Sequence, residues 1–364
     1  MQPYRLYGTE ISYFTGKVRA YLRWKDLPFV EIPSDASVYS EVILPRVGFP
    51  VVPVVVTPQD ETLQDTTDII EALEQRHPDP TIVPGTPVQR LVAALLELYG
   101  DEWLVIPAMH YRWHHNREWA QQAFGQVSAP DAPPETQREI GASRAAPFAR
   151  AAERLGATPP MHEAVEASYE ALLGELQAHF DAHDYVLGSR PSMADFGLIG
   201  PLYAHLYRDP KSGELMRRKA PALARWVERM QDPQHKGTGE YLPNDRVPPT
   251  LLAVLTRMMR EQLPVLVDTA TQLRRWLAEH PGERIRRKIG THTFELQGRR
   301  GERMVMPYSL WMLQRARDAY VQLEGPARID ADALLAAVGG EVFSNFPDPP
   351  RLAREGMSVR LATS

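Results

Sequence analysis

The sequence contains no cysteine, which excludes a disulfide framework, thiolate metal sites and any thiol nucleophile supplied by the chain itself. Sulfur chemistry here needs a borrowed thiol. No apolar run approaches the roughly 20 residues of a bilayer-spanning helix, and the opening MQPYRLYG lacks the basic-then-apolar pattern of a secretory leader. A cytoplasmic chain with no membrane contact is therefore expected. Charge of one sign is also scarce: 41 Lys and Arg stand against 46 Asp and Glu, a formal charge of −5. With Arg spread along the chain, there is no electrostatic footprint for nucleic acid. The one local basic run, Arg284, Arg286, Arg287 and Lys288, reads as a solvated face.

What is present is length and apolar content enough for two or three domains, with 364 residues of which 43% are hydrophobic. YRLYG reads as a short buried strand, TGKVRAYLRWKD as a helix and FVEIP as a second strand, which together make a βαβ beginning. VVPVVV is an apolar strand interrupted by Pro53, a residue that cannot donate to a ladder and so belongs at an edge or in a special turn, a setting that suits a cis peptide. A helix with an apolar face of Ile69, Ile70 and Leu73 follows, then the Pro-dense HPDPTIVPGTP, read as a linker. From Val88 to about Met230 helical spacing dominates, and Ser192 with Asp195 fits an N-cap and its N3 partner. KGTGEYLPNDRVPPT marks a second boundary. Beyond it we expect a helix from Leu251 to His280, a β-hairpin in RRKIGTHTFELQGRRGERMVMP, a helix in YSLWMLQRARDAYVQL and a loop-rich tail.

Three groups of residues bear on chemistry. Ser12 and Thr15 stand at the start of the first helix, where hydroxyls either cap unpaired N–H groups or face a bound anion. Tyr99, Trp103, Ile106, His110 and Trp113 fall at three- and four-residue spacing, an aromatic stripe on a helix bent near Pro107. His110, His114 and Glu118 have i, i+4 metal-ligand spacing, but with no fourth ligand in view no metal is expected.

In their order and spacing SYFTGKVR, VVPVVV, LQDTTDIIEAL and SMADF resemble the glutathione transferases. The resemblance covers roughly two thirds of the chain. It implies an α+β thioredoxin-like N-terminal domain (βαβ-α-ββ-α) over 1–79, a linker over 80–87 and an all-α domain over 88–245. Residues 246–364 would be a C-terminal extension with helices and a β-hairpin, packed on the helical domain. Val18 sets the register of the first turn, with Ser12 first and Thr15 fourth, and Tyr13 where the family usually has Pro. Ser12 is then the implied catalytic residue, donating a hydrogen bond that holds the glutathione sulfur as thiolate. Tyr7 is a rival donor whose placement before Gly8 reads as a core aromatic.

The same resemblance assigns Val52 and Pro53 to the cysteinyl backbone of glutathione, and Asp65 and Thr66 to its γ-glutamyl ammonium and carboxylate. Tyr99, Trp103, His110 and Trp113 would line the electrophile pocket. The implied function is a homodimeric glutathione-dependent transferase acting on a small apolar electrophile, with glutathione as co-substrate and no metal. Two alternatives stand beside it: a non-catalytic binding or assembly module on the same fold, and a glutathione-dependent isomerase or lyase.

Overall fold

In the computed structural model, residues 2–362 are described apart from 233, 235 and 236. Strand β1 (Tyr4–Gly8) runs parallel to β2 (Phe29–Pro33) through the crossover helix α1 (Tyr13–Trp24), with Tyr4 opposite Phe29. β3 (Val54–Val56) and β4 (Thr62–Gln64) complete a mixed sheet in the order β2-β1-β3-β4, with Leu6 opposite Val55 and Val55 opposite Leu63. Alternation divides the inner strands. Leu6 and Val55 enter the main core, whereas Tyr7, Val54 and Val56 close on Ile43 from the other face. Helix α2 (Thr66–Arg76) buries Ile69, Ile70 and Leu73 and completes the thioredoxin-like domain.

The helical region begins with α3 (Pro87–Glu102) and α4 (Val105–His110), the second running straight into a π-helical turn, Tyr111–His115. Next come α5 (Arg117–Ser128), α6 (Pro134–Arg154), α7 (His162–Ala182), α8 (Met193–Ala204), α9 (Pro210–Lys219) and α10 (Pro221–Gln231). Ser192 and Asp195 form the capping box of α8. Asp195 is wholly buried and its other oxygen accepts from Val186 N–H at 3.0 Å and Trp226 Nε1 at 3.1 Å, so the box also ties down two neighbouring segments. α3 and α8 cross closely because both carry glycine there: a Cβ on Gly100 would lie 2.3 Å from the Gly197 carbonyl oxygen.

The extension departs from the expected pattern in two places. The single helix expected from Leu251 to His280 is two, α11 (Leu252–Glu261) and α12 (Leu263–Glu279), because Pro264 has no N–H to continue the first and is well placed to start the second. The tail expected to be loop-rich holds a further helix and a second hairpin. After the hairpin of β5 (Gly290–Leu296) and β6 (Arg299–Val305) come α13 (Tyr308–Val321), α14 (Gly325–Ala337) and the pair β7 (Leu352–Glu355) and β8 (Ser358–Leu361). Leu255, Met258, Leu310 and Leu313 from this region are buried in the same continuous core as Leu6, Leu96 and Phe196. α13 packs on α3 of the helical region. It also reaches the thioredoxin-like domain, where Arg315 bonds Glu71 at 2.8 Å.

Candidate functional site

The turn before α1 is built by capping. Ser12 has extended backbone geometry, and its Oγ accepts the Thr15 N–H at 3.2 Å. The preceding residue is held from the helical region, where Arg112, paired with the buried Asp209 at 2.7 Å, donates to the Ile11 carbonyl at 2.7 Å. Tyr13 is buried and donates its hydroxyl to the Gly100 carbonyl, docking the helix start on α3. Thr15 is fully buried and packs over Gly8, where any Cβ would meet the Thr15 side chain at 2.3 Å. Of the two hydroxyls only Ser12 keeps partial exposure. Tyr7 lies in the small cluster with Ile43, Val54 and Val56.

A second cluster forms where β4 gives way to α2. The Val52–Pro53 peptide is cis, and Val52 lies before the ladder that starts at Val54. Asp65 has φ 75° and ψ 133°, a region that residues with a Cβ occupy at a cost of about 1–3 kcal/mol. Its carboxylate caps α2 by accepting the Thr67 N–H at 3.0 Å. Its other oxygen accepts the hydroxyl of Tyr308, from the extension. Burial, with the Asp65 carboxylate beside it, holds the Tyr308 hydroxyl protonated far beyond its ordinary range. Arg354, also from the extension, bonds Asp68 at 2.6 Å and the Gln64 carbonyl at 2.9 Å. Thr66 is buried at the helix start.

Beneath this cluster runs a buried polar network. Lys17 Nζ of α1 lies 2.9 Å from Glu97 and 2.7 Å from Asp101, both on α3, and Thr67 donates to the same Glu97 oxygen at 2.9 Å. One ammonium does not offset burial for two carboxylates. Burial pushes the Asp101 carboxyl up to about 7, against the opposing pull of Lys17. The adjoining Glu102, half-buried at the end of α3, is pushed up to about 8, by burial of its carboxyl first and Asp101 second. Arg303, whose guanidinium lies 5.1 Å from the centre of the Trp103 ring, is pushed down to about 10 by burial.

Two segments match described domains: residues 6–81 match "Glutathione S-transferase, N-terminal domain" and residues 148–229 match "Glutathione S-transferase, C-terminal domain". Both domains of the glutathione S-transferases are therefore represented in this chain. Among solved structures, a glutathione S-transferase from Rhodospirillum rubrum F11 is 19% identical, over 68% of this chain and 96% of that one, with a TM-score of 0.44. The beta-etherase LigF from Sphingobium sp. strain SYK-6 is 18% identical over 65% and 97%, with a TM-score of 0.48. A glutathione S-transferase from Methylobacterium radiotolerans JCM 2831, in complex with glutathione sulfonate, is 21% identical over 68% and 100%, with a TM-score of 0.40. No curated protein matches.

The electrophile-pocket residues that the transferase resemblance suggests do not converge. The helix expected to carry the stripe is two, since α3 ends at Glu102 and α4 begins at Val105, and the π turn then shifts the register of everything beyond His110. Tyr99 and Trp103 are buried against Val165, Tyr169 and Leu172. Trp113 instead borders a separate cavity of about 290 Å³ with Arg117, Gln121 and Glu153. His110 turns to a third place, against Glu166. The i, i+4 set of His110, His114 and Glu118 is not assembled either, because His110 meets His115 and Glu166. Sequence reasoning missed Tyr308 and Arg354, which no local motif marks, and Lys17, whose buried partners lie on another helix. A lysine between apolar positions of an amphipathic helix was the one available signal for the last.

Proposed function

We propose that this chain is a glutathione-dependent transferase, in which Ser12 holds the sulfur as thiolate and the Gln64–Thr66 turn holds the γ-glutamyl end. Asp65 carries the reading: a carboxylate kept in costly backbone geometry at the mouth of a helix N-terminus. It attracts the ligand ammonium, while the Thr66 hydroxyl and the first N–H groups of α2 receive the ligand carboxylate. Val52, beside the cis peptide, offers its backbone to the cysteinyl residue. Ser12 accepts the Thr15 N–H with a lone pair, which leaves its own O–H to donate to sulfur. The thiol proton passes to solvent, the thiolate forms a bond to carbon, and the leaving group departs with its bonding electrons.

Substitution, addition and reductive cleavage of an apolar electrophile all fit this chemistry, as does a glutathione-dependent isomerase or lyase. The same reading takes the chain to be cytoplasmic and a homodimer, whose twofold surface must lie outside the face of α3 that α13 covers. A monomer mass by sedimentation at micromolar concentration would remove the dimer.

One observation favours a second reading, a non-catalytic module: the Tyr308 hydroxyl already sits on Asp65, and Arg354 braces the same turn. Calorimetric titration with glutathione separates the two. Asp65→Ala is expected to weaken binding about 10- to 100-fold, the equivalent of one charge-assisted hydrogen bond. Tyr308→Phe, which releases a carboxylate oxygen, is expected to tighten it by about two- to tenfold. An ultraviolet difference spectrum then reads bound thiolate. Binding without thiolate favours the module, and no binding by the intact chain overturns the transferase.

A further inference from the structure

His110 and His115 are five residues apart, a spacing that an α-helix of 3.6 residues per turn would splay by about 140° around its axis. The π turn Tyr111–His115 narrows that offset, because its i→i+5 hydrogen-bond repeat brings residue i+5 back toward residue i. Both Nε2 atoms consequently reach one point. Each lies 2.8 Å from the same oxygen, Oε1 of Glu166, which α7 brings in from the facing side. The ligand-competent atoms of all three residues lie within 4.8 Å of one another. The His110 side chain is completely buried there, and its Nδ1 has no hydrogen-bond partner. Two more imidazoles adjoin: the His162 ring is centred 4.5 Å from that of His110, and the His114 ring 4.2 Å from that of His162.

A single carboxylate oxygen shared by two neutral imidazole N–H groups is chemically close to a metal centre. Shifting each ring proton from Nε2 to Nδ1 frees both Nε2 lone pairs as ligands for one cation and leaves the carboxylate facing a positive charge. Two imidazole nitrogens and one carboxylate oxygen are the donors of a borderline divalent ion such as zinc, and a fourth position open to water or to a neighbouring imidazole completes a tetrahedron. We propose that His110, His115 and Glu166 form a binding site for a zinc-type divalent ion, which clips the α4 π turn to α7. The site lies apart from the Ser12 and Asp65 turns and does not depend on glutathione chemistry. Its ion would act in the fold, tying two segments that otherwise meet through side-chain packing and the two hydrogen bonds to Glu166.

The test uses the full chain without a histidine tag, stripped with chelator and titrated with zinc chloride by calorimetry, with cobalt chloride as a visible-absorption probe of coordination. One ion per chain is expected, with nitrogen and oxygen ligation in the cobalt spectrum and a melting temperature raised by zinc. His115→Ala and Glu166→Gln change partly exposed side chains, and each should weaken binding by about tenfold or more and abolish the zinc-dependent rise in melting temperature. His183→Ala, on a different face, should leave both unchanged. Zinc binding that survives in His115→Ala and Glu166→Gln, or no binding by the intact chain, overturns the proposal.

Discussion

At the residue scale the opening turn gives the sharpest expectation. Ser12→Ala should leave glutathione affinity within a few fold, since the γ-glutamyl and cysteinyl contacts lie elsewhere, yet raise the bound thiol's pKa by roughly one to two units. Thr15→Ala serves as the control, because its side chain is buried over Gly8 and faces the fold. Bound-thiolate absorbance against pH reads both variants, and a shift in Thr15→Ala alone would transfer the role. The caps that Ser12 and Asp65 form were legible in the sequence because capping chemistry is local: each accepts an N–H two or three residues away. Tyr308 was not, since its partner Asp65 is 243 residues distant and no spacing rule spans such a gap.

At the scale of elements, Lys17 joins α1 to α3 and so joins the thioredoxin-like domain to the helical one. Lys17→Met should destabilise the fold by about 3–5 kcal/mol, because Glu97 and Asp101 would stay buried without a counter-charge. Urea unfolding checks it, and a triple change that also makes Glu97→Gln and Asp101→Asn should recover most of the loss. No recovery would mean that shape, not charge, is what the lysine supplies. The element order of the first domain and the helical character of the second followed from periodicity and capping. What periodicity cannot express is a change of helical repeat. Trp113 and His114 were placed by counting in steps of three and four, and the π turn counts in fives.

For the whole molecule, buried groups of opposite kind set the response to pH. Burial pushes His110 and His179 down to about 4 from 6.5, and holds His205 well below its ordinary value with the help of Arg112 and Arg208. The unfolded chain takes up those protons first, so their contribution is complete above pH 6.5 and is lost as pH falls toward 4. Asp101 and Glu102, raised to about 7 and about 8, work the other way: their contribution is complete at low pH and is lost as pH rises through those values. Burial likewise raises Asp195 and Asp209 and lowers His77, His114, His183 and His292. Among the described residues, seven histidines therefore outweigh four carboxyls on the acid side and are silent on the alkaline side, so denaturation midpoints should be highest near about pH 6.5. Glu102→Gln should flatten the alkaline limb, and an unchanged limb would show that Glu102 is ionised throughout. The extension gives the molecule a timetable as well as a shape. A ribosome adding about 5–20 residues per second leaves roughly 10–50 s between making Asp65 and making Tyr308. During that interval the newborn N-terminal domain carries its Asp65 carboxylate uncovered, and the turn meets the cell's small molecules before it meets the rest of its own chain.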